Sequence, residues 1–184
     1  IPEGVLRTVV PAAPAAWIMA LDNYGTMSFG DCAAAAIRFA SRGFPMYGLM
    51  SDMIGMHAAD YARWPSSAAI YLPNGAPPRR GEIFVQADLG RTLQYMADQE
   101  KAAAANGRAA GLNAARDAFY RGDVARAIVA YHEANGGLMT EQDMAEFRVV
   151  VEPPVKARFA GVDVYACGPW CQGPVLLQML GVLE

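Results

Sequence analysis

Histidine is nearly missing from this chain. His57 and His132 are the only two, so a general base or a histidine-rich metal site has little to be built from. Cysteine is almost as scarce. Cys32, Cys167 and Cys171 cannot all pair within one chain, and their number does not fit the disulfide framework of a small secreted domain. That tilts toward a reducing compartment while leaving cytoplasm and bacterial periplasm both open. An excess of one charge is missing too: a net charge of −3 spread along 184 residues offers no electrostatic footprint for nucleic acid. No stretch reaches the roughly 18 consecutive apolar residues of a membrane span. The alanine-rich run from Ala102 to Ala115 is broken by Asn106, Gly107 and Arg108. Neither a phosphate-cradling glycine loop nor a metal-ligand cluster is written in the chain, so no cofactor and no metal are expected.

What is present is apolar and alanine-rich. Hydrophobic residues make up 54% of the chain, and a chain of this length can bury a core of its own. The periodicity predicts an α+β protein: a mostly helical segment over residues 1–147, then a β-hairpin and a helix over 148–184. Val10-Pro11 is expected to open a helix to about Tyr24, with Trp17, Ile18 and Leu21 on one face and Gly25 as its stop. Ser28 and Asp31 have capping-box spacing ahead of a second helix reaching Gly43. A third helix is predicted from Tyr47 to Arg63, stopping before Pro65. Pro65 to Gln86 reads as a long ordered loop with a short extended piece at Ile83–Val85. Asp88 is expected to cap a helix carrying Leu89, Leu93 and Met96 as far as Asn106-Gly107, and another helix ends by Phe119. From Phe147 the β-prone runs Phe147–Val151 and Val155–Phe159 form a first strand, interrupted by Pro153-Pro154, and Val162–Ala166 a second. Gly173 to Leu183 returns to helical spacing.

Few residues offer chemistry. Cys171 stands where a strand gives way to a helix, where a thiol can be activated, but a nucleophile needs a base. The neighbours Glu133 and Asn135 place His132 on a solvated face. Packing is the simpler role for Cys171. Cys167 and Cys171 could share a metal, yet two ligands leave a tetrahedral site half built. Arg79-Arg80 read as a solvated loop pair able to meet an anion. Thr8, Thr26, Thr92 and Thr140 are the only threonines, and Thr140 is better explained as a cap. Catalytic, cofactor-binding and metal-binding residues are therefore all expected to be none within this chain.

The densest information lies in Asp117–Arg148, DAFYRGDVARAIVAYHEANGGLMTEQDMAEFR. Val124, Ile128, Val129 and Tyr131 fall on one side of a helix, Asn135-Gly136-Gly137 supply a left-handed stop, and Thr140 with Asp143 forms a capping box for the next helix. Glu141, Asp143 and Glu146 crowd its first turns, where negative charge suits the helix dipole. This order resembles the gamma-glutamyltransferase family, whose large subunit carries D-A-F-Y-x-G, a helix, then x-x-N-G-G-x-[LM]-T-x-x-D-[LM]-A-x-[FY]. Further pieces agree in order and spacing: Val10-Pro11, Tyr24-Gly25-Thr26-Met27-Ser28-Phe29, Ala36-Ile37-Arg38-Phe39-Ala40, Gly43-Phe44-Pro45, Gly81-Glu82 before Asp88-Leu89 and Thr92-Leu93, and Leu176-Leu177-Gln178-Met179-Leu180. The chain departs from the family where Gly168-Pro169-Trp170-Cys171-Gln172-Gly173 replaces the common Pro-Pro-Ser-Ser-Gly-Gly, and where Ala12 and Ala16 replace Gly. These mark a divergent branch.

The resemblance implies an N-terminal-nucleophile hydrolase of αββα architecture, in which a precursor cuts itself and a freed Thr attacks a gamma-glutamyl amide, glutathione above all. That Thr lies downstream of the region matched here, and the Arg that grips the glutamate carboxylate lies upstream of it. The chain starts on Ile1 and ends in an unfinished amphipathic pattern, so both ends are expected to be internal to a longer protein. Its implied partners are the remaining large-subunit segments and the small subunit, with self-association possible for the piece alone and neither nucleic acid nor membrane among them. Two other readings stand beside this one: a catalytically silent helical scaffold used for binding, and a related acylase with a different amide substrate.

Overall fold

The computed structural model describes residues 3–184. These divide into two compact units, residues up to Phe147 and residues from Arg148 on. In the first unit α1 (Ala13–Tyr24) and α2 (Phe29–Arg42) form a helical hairpin. The first helix starts at Ala13 rather than at Val10-Pro11, because the Pro11 carbonyl accepts a hydrogen bond from the Tyr120 hydroxyl at 2.5 Å. Gly25 ends it in extended geometry, its N–H donating to the Leu21 carbonyl. On α2 the Ser28 half of the expected box is made, with Oγ accepting from Asp31 N–H at 3.0 Å. The next two free N–H groups go to a residue far along the chain, described below.

Between Phe44 and Gln86 the expectations need revision. The single helix predicted over Tyr47–Arg63 is two, α3 (Gly48–Met56) and α4 (Ala58–Ala62), broken at His57. Gly55 weakens the helix just before the break, and His57 Nδ1 meets Asp60 Oδ2 at 3.4 Å to open a new first turn. Trp64 is extended, as the residue ahead of a proline must be. Pro65 then opens α5 (Pro65–Tyr71) instead of a loop, its fixed φ and missing N–H suiting the first helical position. The short extended piece is β2 (Ile83–Phe84), paired antiparallel with β1 (Phe44–Pro45). Met46, Ile54, Leu72 and Phe84 make a small core of their own. Tyr71 stacks on both Tyr61 and Phe84.

The longer core belongs to α6 (Ala87–Ala103) and α7 (Arg108–Tyr120), joined by a 3-10 turn over Ala104–Asn106 and packed on α1 and α2. Asp88 lies in the first turn of α6 and pairs with Arg91 instead of capping it; Gln86 holds the N-cap position. Leu93 and Met96 point inward with Ala15, Ile18, Phe29, Ala33, Leu112 and Ala115. Next come α8 (Asp123–Ala134) and α9 (Glu141–Glu146), the latter starting in the expected capping box: Asp143 N–H donates to Thr140 Oγ1 at 3.1 Å and Thr140 N–H to Asp143 Oδ2 at 2.8 Å.

The buried face of α8 is rotated from the one predicted. Ala125, Val129 and His132 face inward, whereas Val124 and Ile128 are half-buried and Tyr131 is exposed. His132 thus moves from a solvated face into the core, because the chain after the helix folds back over it. Gly137 N–H donates to the His132 carbonyl at 2.7 Å, the long bond of a Schellman turn, with Gly136 at φ +73°. A methyl group on Gly137 would lie 2.3 Å from His132 Nδ1, so only glycine lets the turn close over the ring.

The second unit is a hairpin and a helix: β3 (Val155–Phe159), β4 (Val162–Ala166) and α10 (Gly173–Leu183). The register pairs Val155 with Ala166, Ala157 with Val164 and Phe159 with Val162, turning through Ala160 and Gly161, both at positive φ. No strand forms over 147–154, because Pro153-Pro154 have no N–H to donate and the ladder starts directly after them. Val155, Ala157, Phe159, Val164 and Ala166 are half-buried on one face, with α10 packed on both strands. The opposite face is polar, with Lys156 Nζ 2.7 Å from Asp163 Oδ2 and over the Tyr165 ring. Val175, Leu176, Met179, Val182 and Leu183 leave the outer side of α10 apolar and exposed.

Two tests follow from this contrast in burial. Hydrogen exchange should be slow over Leu93–Tyr131 and fast over Val149–Ala166; equal protection in both would show a second unit as stable as the first. The Thr140 cap is tested by denaturation. Thr140→Ala should lower the midpoint with little change of slope, and Thr140→Ser should keep most of the loss from appearing. Hydrogen bonds from the Thr140 side chain and then its backbone hold the Asp143 carboxyl below its ordinary 3.8, partly opposed by desolvation. The cap's contribution is therefore fully present above pH 3.8 and fades as pH falls through the lower folded value; Thr140→Ala should flatten that acid limb.

Candidate functional site

Three side chains from α6 and α7 grip the ends of α1 and α2: Glu100 and Arg108 hold the Tyr24–Phe29 turn, and Tyr120 holds the start of α1. Glu100 is 7% exposed, yet its carboxylate accepts from Phe29 N–H and Gly30 N–H, both at 2.7 Å. These are two of the donors that the first turn of a helix leaves unpaired. Arg108 acts at the other helix end: its guanidinium donates to the Leu21 carbonyl at 2.5 Å and to the Met27 carbonyl at 3.2 and 3.3 Å. Positive charge there complements the C-terminal dipole of α1. The Tyr120 hydroxyl completes the set, accepting from Ala15 N–H at 3.1 Å while donating to Pro11. Gly111 makes room for the stem and backbone of Glu100, since an added methyl group would sit 3.2 Å from Glu100 Cγ and from its backbone carbonyl oxygen.

Beside this turn lies an open cleft of about 770 Å³ of mixed lining, with Thr26, Asp31, Gln94, Asp98 and Lys101 beside Ala34, Ile37 and Ala97, and with Glu100 and Arg108 on its wall. Helix N-termini often take anions. Here Glu100 already fills that role for α2, so the cleft offers no open anion site at the dipole. Arg108 is likewise spent on carbonyl oxygens. The arrangement fixes the position of a loop.

Of the threonines and histidines, Thr8 and His132 lie together, with His132 Nε2 3.1 Å from Thr8 Oγ1. Met139 N–H points at His132 Nδ1 from 3.4 Å, which makes Nδ1 the acceptor and places the proton on Nε2. Nε2–H then donates to Thr8, whose own hydroxyl donates to the Val5 carbonyl at 2.7 Å. In that tautomer the imidazole cannot take a proton from Thr8. Thr92 Oγ1 donates to the Asp88 carbonyl at 3.0 Å, Thr26 lines the cleft, and Thr140 is a cap. His57 is exposed beside Asp60. Arg79 is held in its loop by Glu82, and Arg80 is exposed next to it. Cys171 is half-buried and Cys167 exposed. Among the described residues no three His, Cys, Asp or Glu converge to hold a metal ion.

Sequence reasoning missed Glu100, Arg108 and Tyr120. One signal for Glu100 was available: it follows Leu93 and Met96 at helical spacing and so lies on the buried stripe. Nothing local marks Arg108, whose acceptors lie more than eighty positions away.

The fold is that of the N-terminal-nucleophile hydrolases. The solved cephalosporin acylase from Bacillus halodurans superposes with a TM-score of 0.83 at 27% identity, covering 100% of this chain and 32% of that one. A sequence model of the gamma-glutamyltranspeptidase family matches residues 2–184, and the chain belongs to that family. The Acylase ACY 1 proenzyme of Pseudomonas sp. (strain SE83) is 34% identical over 182 residues, 98% of this chain and 30% of that protein. The Glutathione hydrolase proenzyme of Escherichia coli (strain K12) is 29% identical over 181 residues, 97% of this chain and 29% of that protein. The chain thus spans just under a third of the length of these relatives.

Substitutions in the capping set should cost stability. Glu100→Ala strands two N–H groups, one buried and one half-buried, and should cost about 2–4 kcal/mol; Glu100→Gln keeps one acceptor and should cost less. A chemical-denaturation series in which both are neutral would show that the carboxylate does not hold the turn. Tyr120 is tested by pH. Burial raises its pKa above the ordinary 10.0, partly offset by the Ala15 N–H bond and the Arg116 charge. The folded chain therefore keeps a proton that the unfolded chain releases, so stability is level below pH 10 and falls above it. Tyr120→Phe should lose about 1–3 kcal/mol at neutral pH and shed that alkaline dependence.

Proposed function

We propose that this chain is a large-subunit segment of a gamma-glutamyltransferase-like amidohydrolase, working with parts of the same precursor that lie outside it. The observation that carries the reading is the family match across nearly the whole chain, together with relatives named as proenzymes. The reaction is amide cleavage by an N-terminal Thr on the small subunit. Its hydroxyl adds to the carbonyl carbon, the C–N bond breaks as the amine leaves with a proton, and the acyl-enzyme is released to water or to an acceptor amine. This chain's part is positional. Residues up to 147 form a helical body in which Glu100 and Arg108 hold the Tyr24–Phe29 turn and Tyr120 the start of α1, and residues 148–184 contribute a hairpin and helix to the central sandwich. The partners are the remaining large-subunit segments and the small subunit.

A second reading concerns the substrate. Two observations favour an acylase acting on an amide other than glutathione: the higher identity to the acylase, 34% against 29% for the glutathione hydrolase, and the replaced Gly168–Gly173 loop.

The isolated 184-residue chain should release no nitroaniline from gamma-glutamyl-p-nitroanilide. Activity that survives purification and disappears in Cys171→Ser would replace this proposal with a cysteine nucleophile. The precursor that contains the chain should split into two subunits, with a Thr followed by a hydroxyl residue and His at the new N-terminus. Thr→Ala there should abolish both splitting and hydrolysis. A precursor with no such Thr would leave the silent scaffold as the reading. Comparing a gamma-glutamyl anilide with a cephalosporin side-chain amide on the processed protein decides between the two substrate classes.

A further inference from the structure

Three asparagines are followed by glycine: Asn74-Gly75, Asn106-Gly107 and Asn135-Gly136. In such a pair the backbone nitrogen of the glycine can attack the side-chain amide carbon of the asparagine, because no β-carbon on the second residue blocks the approach. All six residues are exposed. Their backbones differ. Gly75 N–H donates to the Leu72 carbonyl at 2.8 Å and Gly107 N–H to the Ala104 carbonyl at 3.0 Å. Gly136 N–H has no acceptor among the described residues: the turn after α8 sends Asn135 N–H at 3.1 Å and Gly137 N–H at 2.7 Å to the His132 carbonyl and skips the nitrogen between them. Ring closure asks the Asn135–Gly136 peptide plane to turn, from an Asn135 ψ of 14°, until the glycine nitrogen faces Cγ. An opposite turn about the Gly136 φ of +73° leaves the flanking chain in place, and glycine accepts φ of either sign. This motion breaks no backbone hydrogen bond here and one at each of the other two pairs. It gives up the bond from Asn135 Nδ2 to the Tyr131 carbonyl at 2.7 Å, which is exposed, so water takes its place.

We propose that Asn135-Gly136 is a self-modifying site, converting through a succinimide to aspartate and isoaspartate and so opening the turn that covers His132. The Gly136 nitrogen bonds to Asn135 Cγ, the bond from Cγ to the amide nitrogen breaks, and that nitrogen leaves as ammonia with the proton from Gly136. Water then adds to one or the other ring carbonyl and opens the ring. No electrons are transferred, and water is the co-reactant. Both products place a negative charge at the C-terminus of α8, where it opposes the helix dipole, and neither can donate to the Tyr131 carbonyl. The isoaspartyl product also routes the main chain through Cγ, adding a carbon inside the turn. That turn is closed tightly over a side chain only 5% exposed: a methyl group on Gly137 would lie 2.3 Å from His132 Nδ1, and Met139 N–H points at the same nitrogen from 3.4 Å. A longer main chain therefore lifts Gly137 and Met139 away from the ring.

The full chain should be aged in mildly alkaline buffer, native and in concentrated urea, and digested at intervals for peptide mapping by mass; the readout is independent of the hydrolase reading. In the native chain, conversion at Asn135 should outrun conversion at Asn74 and at Asn106 by about three- to tenfold, the factor that one net backbone hydrogen bond sets. In urea the three rates should converge. A protein isoaspartate methyltransferase should transfer its methyl group to the Asn135 peptide of the aged native chain. Hydrogen exchange should then be faster at the Gly137 and Met139 amides of the aged chain than of the fresh one, with the amides of α6 unchanged. Asn135→Gln, whose longer side chain closes a ring far more slowly, should keep its fresh exchange pattern on ageing. Native conversion at Asn135 no faster than at the other two pairs, or conversion there that leaves the Gly137 and Met139 amides unchanged, would overturn the proposal.

Discussion

A buried carboxylate bridging two helices is the constraint on which the first unit depends. Glu100 reaches from the buried stripe of α6 to the start of α2, and a charge at 7% exposure is tolerable only if its oxygens are fully engaged. They are engaged by two backbone donors that α2 would otherwise leave unpaired. Each side solves the other's problem: the helix end gains an anion, and the anion gains two hydrogen bonds and a favourable dipole. Close packing of α2 on α6 depends on this match, and Gly111 of α7 leaves the space in which it forms.

The same logic recurs at three neighbouring points. Arg108 satisfies carbonyls at the end of α1, Tyr120 satisfies a donor at its start, and His132 receives the turn after α8. Glu, Arg, Tyr and His are side chains often used for chemistry. Here the polar atoms of Glu100, Arg108, Tyr120 and His132 point at backbone groups or at a hydroxyl already committed elsewhere. For the Thr8–His132 pair, the Met139 N–H on Nδ1 leaves Nε2 as the donor toward Thr8, whose own hydroxyl donates to the Val5 carbonyl.

The second unit is built differently. Its one half-buried face is covered by α10, and the outer side of α10 carries Val175, Leu176, Met179, Val182 and Leu183 into solvent. A hairpin with one helix has too little surface to bury for much stability by itself. The loop entering α10, Gly168–Gly173, departs from the family pattern.

Much of this was legible in the chain itself, wherever cause and effect lie within one helical turn. Thr140 and Asp143 make their box, Ser28 takes Asp31 N–H, and Asn135-Gly136-Gly137 ends α8, because each needs only neighbours three to five positions away. The ordered succession of such local features also carried the family resemblance. What the tertiary structure alone decided is everything requiring contact across long separations: which face of α8 is buried, why Pro65 begins a helix packed on Phe84, and how Glu100, Arg108 and Tyr120 reach helix ends seventy and more positions away. A local pattern records which residues can cap or pack; only the folded chain determines which distant partner arrives to be capped.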